Sequence, residues 1–270
     1  MSSNSSQYYS QESYNEALMT LQGAIVAVIY EFAMRPCDTK HLILRNTLSR
    51  SSMSLKAIFA LWDISDFQGG WTIHRTLLER LFHIIDLDAN DSYKDFEEWS
   101  FYEQYKAQNR VKSDPNFKHE ATEPFYKLSP EKSDRAKKLS KSPPKWRRAK
   151  AEDVAKSVEL SFLYRFGYDF ASMHVHPMAN DGEQDFFTVT RIEAPALFPD
   201  QMSLLSNTLL AATLILQEVL NQSAYKWRRI LWDYIDGVRH FLGTGDDSYK
   251  DLFTRLLLVG KDQGLCDSPA

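Results

Sequence analysis

Trp71-Thr-Ile-His-Arg-Thr-Leu-Leu-Glu-Arg-Leu-Phe-His-Ile-Ile85 sets Leu77, Leu78, Leu81 and Ile84 three and four residues apart. That interval belongs to a helix with one face in a core. A polar stripe, Arg75, Glu79 and His83, runs through the same segment at four-residue spacing. A second stripe, Tyr164, Tyr168, Ser172 and His176, runs through Tyr164-Arg-Phe-Gly-Tyr-Asp-Phe-Ala-Ser-Met-His-Val-His176 and stops at Pro177. Residues four apart share a helix face, so each segment presents a column of groups that donate, accept or carry a proton. Columns flanked by leucine face either a buried hydrogen-bonded network or a site.

The helical period continues on both sides. Gly and Pro number only ten each, and no strand alternation or hairpin signal interrupts it. The spacing predicts an all-α fold, a single multi-helix bundle with a long polar loop insertion. A first helix runs from about Glu12 to Met34 and is ended by Pro36. Asp38 or Thr39 caps a second, which runs to about Asp63. Phe67-Gln-Gly-Gly70 reads as a break before the Arg75 helix, which Asp88-Ala-Asn-Asp91 ends. An aromatic-rich helix follows over about 92–111, with Tyr93, Phe96, Trp99, Phe101, Tyr102 and Tyr105. From Lys112 to Lys150 prolines and lysines replace aliphatics, as in a surface excursion holding a short helix near 130–140. The second stripe lies on one helix over about 152–176. Met178 to Pro199 reads as irregular, with an extended segment near Asp185–Glu193. Three more helices are expected near 200–222, 225–241 and 247–259. One helical domain therefore spans 1–270, with core helices over about 12–111 and 150–260, an insertion at 112–150, and flexible tails at 1–10 and 261–270.

The hydrophobic share of 43% fills a core for such a bundle, and the net charge of −4 leaves no global pull towards nucleic acid or anionic lipid. Only local patches can supply one. Two cysteines far apart, Cys37 and Cys266, make neither a disulfide framework nor a zinc knuckle and suit a reducing compartment. Apolar runs such as Ala24–Tyr30 and Leu209–Leu216 are too short to cross a bilayer, and the first residues lack the pattern of a signal peptide. A cytoplasmic location without membrane contact is expected.

Three constellations bear on function. In the columns, Arg75 and Glu79 can pair, with Tyr168, Ser172 and His176 meeting their spare donors and acceptors. The same five groups can line a pocket, where Glu79 or His176 acts as acid or base and Arg75 holds a phosphate or carboxylate. His174 and His176 could share one metal ion only where the helix unwinds, and no cysteine or carboxylate pair supports such a site. No metal or cofactor is therefore expected. Lys137, Lys138, Lys141, Lys145, Arg147, Arg148 and Lys150, with Trp146 among them, form a cationic run that can follow phosphates and stack bases. Arg228 and Arg229 beside Trp227 could add to it. Cys37, between Pro36 and Asp38, has no visible base partner and reads as inert. No Gly-x-Ser-x-Gly, Walker or Gly-x-Gly-x-x-Gly element is present.

Over roughly Trp62 to Asn180 the chain resembles an uncharacterised bacterial all-helical family known only as a domain of unknown function. Its signature is Arg-x-x-x-Glu on an early apolar helix, then Tyr-x-x-x-Ser-x-x-x-His, commonly followed by Pro or a small residue. Arg75, Glu79, Tyr168, Ser172, His176 and Pro177 occupy those positions. More distantly, the architecture is similar to the HEPN superfamily, helical bundles that often act as metal-independent ribonucleases in bacterial defence. Those sites space Arg and His by four to six residues. Only Arg35-Pro-Cys-Asp-Thr-Lys-His41 meets that spacing, and Pro36 puts it between helices. What the likeness implies is His176 in proton transfer and Arg75 stabilising a phosphoryl charge.

Two functions are thus expected in competition. One is phosphodiester cleavage of RNA, or of another phosphate-bearing ligand, in a defence or toxin setting. The other is a non-enzymatic binding or regulatory module, whose aromatic helix meets a protein partner or a second copy and whose columns are structural or cradle a small anion.

Overall fold

The computed structural model describes residues 9–117, 128–176, 179, 182–193, 201–225 and 227–262. They are all-α, and no strand occurs among the described residues. The chain divides into two compact units, one of residues 1–86 with 150–270 and one of residues 87–149.

The larger unit is built around helix α10 (Met202–Asn221). Its Leu204, Leu205, Leu209, Ile215, Leu216 and Val219 are all buried. A helix apolar on nearly every side needs neighbours all round. It has them in α1 (Gln11–Ala33), α2 (Thr39–Asp63) and α11 (Arg228–Thr244), with α12 (Tyr249–Asp262) closing against α11 and α1. Tyr234 Oη donates to Thr20 Oγ1 at 2.8 Å and Tyr225 Oη to the Ala27 carbonyl at 3.2 Å, fixing the α11 end of the chain on α1. The α1 and α10 helices are, contrary to the short runs read from the sequence, both long and apolar enough to cross a bilayer by length and composition. The apolar window of α10 is 61% buried within the bundle, so the packed helices already cover most of it.

Local sequence explains most boundaries. Ser10 and Asp38 cap α1 and α2 by accepting from the Ser13 and His41 amides. Helix α3 (Phe67–Ala89) starts at Phe67 rather than after Gly70, because Asp66 Oδ1 accepts from the Gly69 amide at 2.8 Å. The expected break is thus the first turn of the helix. Glycine serves there in another way: a Cβ on Gly70 would lie 2.6 Å from Leu204 Cδ2, so its absence lets α3 approach α10. Ile58, Trp71, Ala171 and Leu204 make the core beneath this contact.

The helix expected over 152–176 is not continuous. It is divided into α6 (Ala151–Ser157), α7 (Ser161–Leu163), a π-helical segment (Tyr164–Asp169) and α8 (Phe170–Ser172). Glu159 takes a left-handed φ of 60° and the Leu160 amide returns to the Ala155 carbonyl at 2.8 Å, ending α6 as a left-handed residue ends many helices. The extended segment expected near Asp185–Glu193 is not found: residues 183–190 form helix α9 (Glu183–Thr190), bounded by left-handed Gly182 and Arg191. Thr190 Oγ1 donating to the Phe186 carbonyl is a helical contact that alternation of residue types could not reveal.

The smaller unit holds α4 (Tyr93–Ser113), a 3₁₀ turn at Pro115–Phe117 and α5 (Pro130–Lys141). Its aromatic helix is covered from within: the Trp146 ring lies 5.0 Å from both Phe96 and Trp99. Arg135 forks onto Glu97 and rests over the Phe101 ring at 4.4 Å. Trp146 therefore packs against α4 instead of standing free among the lysines.

Candidate functional site

Helix α3 and the π-helical segment bring the two columns together. Arg75 Nε donates to Ser172 Oγ at 3.0 Å and Arg75 Nη2 to Tyr168 Oη at 2.9 Å. Arg75 Nη1 pairs with Glu79 Oε1 at 3.2 Å, and Tyr168 Oη donates to the same oxygen at 3.0 Å. Ser172 Oγ completes the set by donating to the Tyr168 carbonyl at 2.8 Å. The guanidinium also lies over the Tyr168 ring, 4.8 Å from its centroid. One cation is thus held from three directions by groups of two segments, a geometry that locks its plane.

The π-helical segment is what makes the meeting work. Its extra residue per turn is a feature found often at functional sites. Here Tyr164 and Tyr168 stay stacked at 5.3 Å and 19°. Gly167 is buried within the segment, and a Cβ there would lie 2.8 Å from Leu78 Cδ1. The segment can press onto α3 at that residue only because it lacks a side chain. Tyr168 also meets Phe82 edge-on, so the column rests on core residues of α3.

The site is half open. Arg75 is 23% and Glu79 29% exposed, so the ion pair shares its field with water and is worth far less than a sealed one. Desolvation first, and then the bond to Glu79, push the Tyr168 phenol up to about 12. Burial likewise raises the Tyr164 phenol. Both rings stay protonated at neutral pH, so Tyr168 donates and does not act as a base.

His176 does not join. Helix α8 ends at Ser172, the chain turns through 173–175, and His176 is exposed. None of the hydrogen bonds among Arg75, Glu79, Tyr168 and Ser172 reaches it. Four-residue spacing continues a column only while the helix does. His174 instead folds back on α3: its carbonyl accepts from Thr72 Oγ1 at 3.2 Å, and its ring stacks on Trp71 at 6.2 Å and 12°. Pro177 lies outside the described residues. Among those residues no three His, Cys, Asp or Glu side chains are gathered as a metal ion would require.

Sequence reading missed His74. It is fully buried, with Nδ1 3.2 Å from Thr208 Oγ1 and no partner for Nε2 among the described residues. Burial alone drives its pKa down to about 3, so the ring is neutral in the fold. Its place among Trp71, Leu77 and Leu78 on an apolar face was the available signal.

The cationic run belongs to the smaller unit. Lys137, Lys138 and Lys141 lie on α5, and Lys145, Arg147 and Arg148 on the irregular stretch that follows; all six are exposed. Lys137 pairs with Asp134 at 3.2 Å, an exposed contact of little energetic weight.

None of the curated proteins and no solved structure matches the chain. A family model described as a family of unknown function, DUF5677, matches residues 41–190, which hold both arms of the column. That match covers more than half of the 270 residues, and the chain therefore belongs to the DUF5677 family.

Proposed function

We propose that the chain binds a phosphate-bearing ligand at Arg75, with single-stranded RNA the first candidate and phosphodiester cleavage the candidate reaction. The observation that carries this reading is a guanidinium fixed by Ser172, Tyr168 and Glu79 and still 23% exposed. A cation whose orientation is settled before the ligand arrives loses little freedom on binding, and this is how charge-stabilising sites work. It also has more N–H groups than these three contacts use.

In the cleavage step a ribose 2′-hydroxyl attacks the adjacent phosphorus and the bond to the 5′-oxygen breaks, leaving a 2′,3′-cyclic phosphate. Glu79 is the group of the column suited to take the 2′ proton, since Tyr168 stays protonated. Arg75 offsets the charge that develops on the phosphoryl oxygens, and a water protonates the departing 5′-oxygen. The exposed lysines of α5, in the smaller unit, can attract RNA in their own right. A cytoplasmic, bacterial defence role and a relation to HEPN-type nucleases are part of this proposal.

The second reading is a non-enzymatic module, and one observation favours it: Arg75, Glu79, Tyr168 and Ser172 answer one another, as a purely structural network would. The test is fluorescence-anisotropy binding of a labelled RNA oligonucleotide, followed by product analysis. Arg75→Ala should weaken binding at least tenfold and abolish any cyclic-phosphate product, and Arg75→Lys should recover part of the binding. RNA bound through Arg75 but never cut would remove the reaction and keep the module. Equal binding by wild type and Arg75→Ala would remove the site.

A further inference from the structure

A cavity of about 160 Å³ lies where α1 gives way to α2, outside the column and independent of the reading above. We propose that it is a binding site for a small, uncharged, planar aromatic molecule with one polar edge. The space is partly open to solvent, and its volume matches that of an engineered cavity known to take benzene, about 150 Å³. Three rings form one side of it: Phe32 lies 5.9 Å from His41 and 6.5 Å from Tyr225, tilted against each, and all three line the space. Tyr225 spends its hydroxyl on the Ala27 carbonyl and gives the cavity only its ring. The imidazole is held in place because Nδ1 lies 2.8 Å from Asp38 Oδ1.

The polar edge is met by Ser223. This residue is 5% exposed and lines the cavity, yet its hydroxyl oxygen is sealed from water with no partner among the described residues. A buried hydroxyl left in that state carries a standing desolvation cost, which a ligand hydroxyl or ring nitrogen would relieve once the Ser223 side chain turns its Oγ towards the cavity. The charge at the rim is balanced. Arg35 is paired with Glu31, and both line the cavity, so the site does not call for a net anion. Cys37 lines the same space, its thiol donating to the Phe32 carbonyl at 3.2 Å. The thiol read as inert becomes a reporter of occupancy.

The experiment uses the full chain carrying Cys266→Ala, so that Cys37 is the sole thiol, with phenol as the probe. The rate of Cys37 alkylation by iodoacetamide should fall at least fivefold at saturating phenol and stay unchanged in inorganic phosphate. Ser223→Ala should raise the half-saturating phenol concentration about fivefold, the loss of one hydrogen bond. Ser223→Leu, which fills the cavity, should abolish protection; if that variant does not fold, the Ser223→Ala shift decides. Protection by phosphate, no protection by phenol, or equal protection with and without the Ser223 hydroxyl would each overturn the proposal.

Discussion

His74 and Arg75 are consecutive residues of α3, about 100° apart around its axis, and the two faces treat charge in opposite ways. His74 is fully buried with one hydroxyl for company, and burial alone keeps its ring neutral. Arg75 points to the edge, where three side chains and some water share its charge. The difference is one of supply. The inward face offers apolar packing and can hold an ionisable group only in its uncharged form, whereas the edge can keep a cation because partners from a second segment reach it. The chemistry of α3 therefore belongs to the edge column, and the imidazole one residue away is part of the core.

The sharpest way to break that comparison is acid. An unfolded imidazole takes a proton near pH 6.5 and the folded one not until about 3. The contribution of His74 is thus intact above 6.5. It falls by roughly 1.4 kcal/mol for each pH unit below that, until the folded value is reached. Urea midpoints measured from pH 7 to 4 should decline along this limb, and His74→Leu should flatten it. An unchanged acid limb in the variant would mean that water reaches the ring.

A smaller effect is expected at Gly167, which sits between the two environments. Its added Cβ would press on Leu78 at 2.8 Å and come within 3.7 Å of His74 Nε2. Gly167→Ala should cost about 1–3 kcal/mol by overpacking, read as a drop of several degrees in Tm. A neutral or stabilising result would show that the π-helical segment can shift away from α3 without loss.

The smallest change is Tyr168→Phe, which keeps the ring beneath Arg75 and removes only the hydroxyl. A loss of about 1 kcal/mol is expected, since water can replace part of a half-open bond. Combining it with Glu79→Gln in a double-mutant cycle sharpens the point. Strict additivity would mean that the phenol and carboxylate are not coupled and that the column is a set of separate contacts.

Much of this was legible beforehand. Asp38 capping α2, the helix at 130–141 and the four-residue pairing of Arg75 with Glu79 all rest on neighbours in sequence, and local chemistry carries them. The meeting of Arg75 with Tyr168 and Ser172 was also anticipated, because polar columns among leucines need partners. What stayed hidden depends on distant contacts. The use of glycine at position 70 stays hidden until α10 is seen to bring Leu204 against it. The stripe at Tyr164–His176 suggests one straight helix until the turn at Glu159 and the π-helical residues are placed. Ser223 and Tyr225 come from a part of the chain far from Arg35, Cys37 and His41, so no spacing rule gathers them around a cavity.

Periodicity alone settled that the protein is helical and which residues could form each column, since residues four apart share a face whatever surrounds them. Only the tertiary structure decided that the column ends at Ser172, that His174 rather than His176 returns to α3, and that His74 is sealed within the core. Those outcomes turn on where one segment lies against another and on how much water remains between them, and no local interval in the chain encodes that.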